Sequence, residues 1–189
     1  MARRPGITRD RIIEASLLLI QQRGESALTL AALAKHFGVR PPSLYNHVSG
    51  LPGLKRELRL HGLNLLAAEL QQSAMGNSGS AALTELCHAY RHFAQQQPAL
   101  YRLTLASTEN DDAELQAAGQ AGLDAVLSIL KGYRLRGDEA LHAIRCLRSA
   151  LHGFVSLEIE GGFAMPLDLD ASFGHLIQQL DRMLTNWQT

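Results

Sequence analysis

Thr29-Leu-Ala-Ala-Leu-Ala-Lys-His-Phe-Gly-Val-Arg-Pro-Pro-Ser-Leu-Tyr-Asn-His47 decides the fold, because it reads as two short helices joined by a tight turn. Thr29 is placed to cap the first helix, and Leu30, Leu33, Ala34 and Phe37 follow at i, i+3, i+4 and i+7 as one apolar stripe. Gly38 stops that helix by admitting a left-handed conformation, and Val39 fills the space under the turn. Pro41-Pro42 then supply the fixed φ of a first helical turn, so a second helix starts near Pro41. On it Leu44 and Val48 point inward, four apart. Arg40, Ser43, Tyr45, Asn46 and His47 are left outside, with hydrogen-bonding tips that suit phosphates and base edges.

A helical pair of this spacing also occurs as a plain structural hairpin, and charge decides between the two readings. The chain has 189 residues and 18 basic against 18 acidic side chains. Its neutrality hides an asymmetry. Residues 1 to 60 hold ten Lys or Arg against Asp10, Glu14, Glu25 and Glu57, a balance of +6, and the rest carries −6. Positive charge gathers where a polyanion would sit. Arg3 and Arg4 form a short basic arm. Upstream, an amphipathic helix from about Thr8 to Arg23 turns Ile12, Ile13, Leu17 and Ile20 inward.

Beyond the motif the pattern is helical throughout, without strand alternation or repeats. A fourth helix is expected over Pro52–Gln72, and Ser73–Ser80 reads as a flexible loop. Leu83, Leu86, Cys87, Tyr90, Phe93 and Ala94 mark a fifth helix, and Pro98 opens a short sixth through Leu105. A seventh carries Leu115, Ala118, Leu123, Val126 and Leu130, and the last two span Asp138–Glu160 and Asp170–Trp187, about nine in all. Cys87 and Cys146 fall among apolar helix positions and read as small buried hydrophobes. No stretch approaches the roughly 20 apolar residues of a membrane span, and Asp10, Arg11 and Glu14 interrupt any secretory signal, which places the protein in the cytoplasm.

The motif resembles that of the tetracycline-repressor (TetR) family of bacterial transcription regulators, whose Leu-Ala-x-x-Phe-Gly-Val, turn, Ser-Leu-Tyr-x-His pattern it matches position for position, with the likeness covering roughly the first 55 residues. The resemblance implies a DNA-binding domain over 1–55 and a regulatory and dimerisation domain over 56–189, an all-α plan of a three-helix head followed by a larger bundle. It implies DNA contacts from Thr29, Arg40, Pro41, Ser43, Tyr45, Asn46 and His47, with Tyr45, Ser43 and His47 on the backbone and Arg40, Pro41 and Asn46 near base edges. Leu51 stands where family members often carry a phosphate-holding lysine, and Lys55 or Arg56, one turn on, are the candidates to replace it. Leu30-Ala31-Ala32 gives the preceding helix little to read bases with.

Ala150-Leu151-His152-Gly153-Phe154 resembles a regulatory domain marked by a Trp-His-Gly triplet in part of the family, with Leu151 in place of the tryptophan. The likeness implies a cavity for a small, largely apolar effector lined or supported by His152, and the aromatics Tyr101 and Phe154 are the further candidates for its wall. The last helix carries Phe173, Leu176, Ile177, Leu180, Met183, Leu184 and Trp187 over four turns, and it is read as the homodimer interface that two DNA-binding heads require on a palindromic operator. The resulting expectation is a repressor released from DNA by its effector, with no cofactor and no metal. An effector-free DNA-binding dimer is the alternative. A helical-bundle metalloenzyme is the third reading, since Glu85-x-x-His88 and Glu139-x-x-His142 have di-iron spacing, but both pairs lie opposite their apolar stripes, where bundle ligands cannot converge.

Overall fold

The computed structural model describes residues 6–106 and 112–187, and Arg3 and Arg4 lie outside the described residues. Eight α-helices and three short 3-10 segments, with no strand among the described residues, make up the chain. Helix α1 spans Arg9–Arg23, a 3-10 turn Glu25–Ala27, α2 Leu30–Phe37 and a second 3-10 turn Pro41–Leu44. Then come α3 (Gly50–Ala74), α4 (Gly79–Gln96), α5 (Pro98–Thr104), α6 (Ala113–Leu130), a third 3-10 turn Lys131–Tyr133, α7 (Gly137–Ile159) and α8 (Leu169–Thr185). Two compact units share these elements: Met1–Gly62 with Ala99–Ser107, and Leu63–Pro98 with Thr108–Thr189.

In the first unit the caps form as local chemistry dictates. Thr8 Oγ1 accepts from the Arg11 N–H, and Gly24, at φ 82, ends α1. Its core is aliphatic: Ile12, Leu33, Leu44, Leu54, Leu58 and Leu100 are fully buried. Ser16 is buried among them, and its hydroxyl is satisfied by donating to the Ile12 carbonyl at 2.7 Å. At Gly62 a side chain would come within 3.3 Å of Leu100 Cβ, so glycine is what lets α3 and α5 approach so closely. The second unit packs α4, α6, α7, α8 and the later part of α3 around Leu83, Phe93, Leu130, Val155, Phe173 and Leu184.

Several sequence expectations are corrected. The Ser73–Ser80 loop shrinks to residues 75–78, because α3 continues to Ala74 and α4 starts at Gly79. Cys146 is exposed, since the buried side of α7 is Ala140, Ala143, Leu147, Leu151 and Val155, and position 146 falls off it. Leu141 is exposed for the same reason. Cys87 is buried as expected, and burial pushes its thiol up to about 12. No helix among the described residues is long and apolar enough to cross a membrane.

Candidate nucleic-acid interface

The reading segment is built from its caps outward. Thr29 Oγ1 accepts the Ala32 N–H at 3.1 Å and starts α2. Gly38, at φ 66 and ψ 35, ends it, and the Val39 N–H reaches back to the Ala34 carbonyl at 2.9 Å, the six-to-one bond of a Schellman cap. Arg40 is extended, and the chain then enters Pro41–Leu44 as a 3-10 turn rather than an α-helix. Two consecutive prolines bring no N–H, so the first bonds are those of Ser43 to the Arg40 carbonyl at 3.0 Å and Tyr45 to the Pro42 carbonyl at 3.3 Å. One α-type bond, from Val48 to Leu44 at 3.0 Å, closes the segment.

Two side chains hold it. Leu44 and Val48 are buried, as their spacing predicts. Thr29, Arg40, Pro41, Ser43, Tyr45, Asn46 and His47 are all exposed, with Tyr45 at 60%. Arg40, Ser43, Tyr45, Asn46 and His47 form no side-chain hydrogen bond or ion pair with other described residues, and Lys35 on α2 is likewise exposed and unpaired. The two cations expected to stand in for the missing lysine are engaged: Lys55 Nζ lies 2.7 Å from Glu25 Oε1, and Arg56 Nη1 lies 3.1 Å from Glu57 Oε1. Glu57 also meets Arg9. Leu51 is half-buried.

The residues expected around an effector are divided between the two units. Tyr101 is buried on α5 in the first unit, while His152 and Phe154 lie on α7 in the second. His152 is half-buried with its Nδ1 3.1 Å from Ser156 Oγ. Phe154 packs against Phe163 and Phe173, each with ring centroids 5.0 Å away. The expected interface strip divides too: Phe173, Ile177, Leu180 and Leu184 are buried within their own chain, whereas Leu176 and Trp187 are half-buried. The first four side chains pack into the bundle of their own chain.

Sequence reading missed the ionic centre of the second unit. Arg91, 8% exposed, donates to both carboxylate oxygens of Glu158 and, through Nη1 at 2.8 Å, to Asp170. Its guanidinium also lies 4.7 Å above the Phe173 ring, so one cation ties α4, α7 and α8. The signal was present: position 91 falls within the apolar stripe of α4, four residues after Cys87. At the far end of α8, Tyr133 donates to Asp181, and burial with that carboxylate raises the phenol. Trp187 Nε1 donates to Glu139 at 2.7 Å. Glu85, His88 and His92 are exposed and line an open polar groove of about 650 Å³ between α3 and α4. No cluster of three or more potential metal ligands occurs among the described residues.

Residues 12–49 match the family model of the bacterial regulatory proteins of the tetR family, and residues 83–180 match the tetracyclin repressor-like C-terminal domain. The chain is 35% identical over 178 residues to YobS, an uncharacterised HTH-type transcriptional regulator of Bacillus subtilis (strain 168), covering 94% of this chain and 93% of that protein. The fold is shared with a protein of unknown function from Rhodococcus sp. RHA1 at TM-score 0.85 and 20% identity, over 98% of this chain and all of that one. It is also shared with the Q116A variant of TetR from Acinetobacter baumannii AYE, solved in complex with minocycline, at TM-score 0.73 and 19% identity, over 97% and 99% of the two chains.

Proposed function

We propose a function from the premise that the chain belongs to the TetR family of bacterial transcription regulators: it is a DNA-binding repressor that acts as a homodimer on a palindromic operator. The observation that carries the reading is the outward row of Arg40, Ser43, Tyr45, Asn46 and His47, polar and unpaired, on a segment pinned from below by Leu44 and Val48. Polar side chains without intramolecular partners are free to exchange water for phosphate and base edges, and the +6 balance of residues 1 to 60 steers them to DNA. Tyr45, Ser43 and His47 serve the backbone and Arg40, Pro41 and Asn46 the bases, with Thr29 holding the N-terminus of α2.

Residues 1–55 form the DNA-binding part and 56–189 the regulatory and dimerising part of a cytoplasmic, non-enzymatic protein. A small, largely apolar effector binds within the latter and releases DNA, a reading that draws on the fold shared with the minocycline-bound regulator. Titration of immobilised genomic fragments at several salt concentrations tests the function. A preferred palindrome should emerge whose affinity falls steeply with salt, and equal binding to random DNA at every salt concentration would refute the proposal.

A further inference from the structure

The second unit carries seven basic against fourteen acidic side chains, and three of the seven, Lys131, Arg134 and Arg136, fall within six consecutive residues. All three are exposed, and none has a side-chain hydrogen bond or ion pair among the described residues. The nearest acids in sequence do not answer them: Glu139 accepts from Trp187 Nε1, and Asp138 is exposed. Local structure does not account for two of these cations either. Arg134 ends the third 3-10 turn at φ 63, a left-handed conformation in which glycine is the usual residue. Arg136 is the N-cap of α7, makes no side-chain cap bond, and carries its charge where the helix dipole opposes it. Residues that a fold tolerates rather than uses are candidates for function.

The same segment borders a pocket. About 490 Å³ in volume, it lies between the C-terminal half of α6, the Lys131–Tyr133 turn and the start of α7, all within the second unit. Lys131 and Arg136 line it together with Leu127, Leu135 and Ala140, the last two buried. Asp124 on the α6 wall already accepts from Gln120 Nε2 at 2.7 Å. The pocket therefore joins an apolar surface to two cations without counter-ions, the complement of a molecule with an apolar body and a compact anionic head. A phosphate suits that head better than a carboxylate, because it brings more charge to the cluster and has oxygens enough for a forked guanidinium and a lysine ammonium at once. We propose that this pocket binds a phosphate monoester with a small apolar body, its phosphate between Lys131 and Arg136 and its body on Leu127, Leu135 and Ala140. Binding here goes beyond the DNA-binding reading above and does not depend on it.

Calorimetric titration of the full chain with phenyl phosphate, inorganic phosphate and benzoate tests the site. Phenyl phosphate should bind with a dissociation constant of about 1 mM or tighter, and the other two about tenfold more weakly, since each lacks one half of the match. Lys131→Ala and Arg136→Ala, both at exposed positions, should each weaken phenyl phosphate binding about tenfold. Their thermal midpoints should stay within about 2 °C of wild type. Absence of saturable heat with phenyl phosphate up to about 20 mM overturns the site. Undiminished binding by both variants overturns its location. Benzoate binding as tightly as phenyl phosphate overturns the phosphate assignment, and inorganic phosphate doing so overturns the apolar one. If both variants lose affinity for DNA with no phosphate monoester present, the cations serve the DNA backbone and the pocket proposal falls.

Discussion

Helix α8 and the segment Pro41–Val48 are both amphipathic, and they use that pattern in opposite ways. In α8 much is answered within the chain: Phe173, Ile177, Leu180 and Leu184 are buried, Asp170 meets Arg91, Asp181 meets Tyr133, and just past the helix end Trp187 meets Glu139. In the reading segment only Leu44 and Val48 are answered, and the polar row above them has no partner among the described residues. The lesson is that an apolar stripe shows which side of an element is dry, whereas the partners of its polar side show whether the element is scaffold or contact surface.

The largest effect should come from breaking α8. Leu180→Asp places a carboxylate where 5% of the residue is exposed, and the variant should lose about 4 kcal/mol or more, unfolding rather than giving folded monomers. A native circular dichroism melt for that variant would contradict the comparison.

Removing the Arg91 guanidinium should come next. Arg91→Ala leaves Glu158, only 11% exposed, without its cation, and should cost about 3 kcal/mol in urea unfolding. Glu158→Ala added to it should cost much less than the two single losses combined, because the pair acts as a unit. Additive losses would show that the ionic centre is not cooperative.

Cys87 gives a smaller, pH-dependent effect. Its thiol is raised from 9.0 to about 12 by burial, so the folded state favours the protonated form. The corresponding stability is complete below pH 9 and falls as pH rises from there towards 12, by about 1.4 kcal/mol per pH unit. Cys87→Ala should flatten that slope, which urea titrations between pH 8 and 11 would read directly; an unchanged slope would assign the titration elsewhere.

The smallest effect on folding should belong to the reading segment. Tyr45→Ala should leave stability within about 0.5 kcal/mol of wild type while lowering affinity for every DNA sequence about tenfold. Arg40→Ala should instead change which sequence is preferred. Loss of stability at Tyr45 larger than loss of binding would make it scaffold after all.

The head was legible because its cues are local. Thr29 and Gly38 act on backbone groups within six residues of themselves, and Leu44 with Val48 can only bury one side of so short a turn. Its 3-10 character was less accessible, since it follows from two prolines in succession rather than from periodicity. The bundle was legible as helices and not as contacts. Periodicity found the apolar side of α8 without telling whose core it completes, and it did not show that α5, which carries Tyr101, belongs with the first unit. Arg91 was passed over because an arginine, even at a stripe position, usually extends its charged end to water, and only the positions of Glu158 and Asp170, 67 and 79 residues away in the chain, make burial tolerable.

Gly38 has a consequence for genetics. Its φ of 66 is a conformation that side chains oppose, so any replacement strains the cap that aims Arg40 and the residues after it. A screen for loss of repression will therefore score position 38 alongside true contacts, although glycine has no side chain with which to touch a base. Mutants there should be separable from contact mutants by suppression, since a second change that stabilises the head elsewhere can restore a misaimed turn but cannot replace a lost hydrogen bond to DNA.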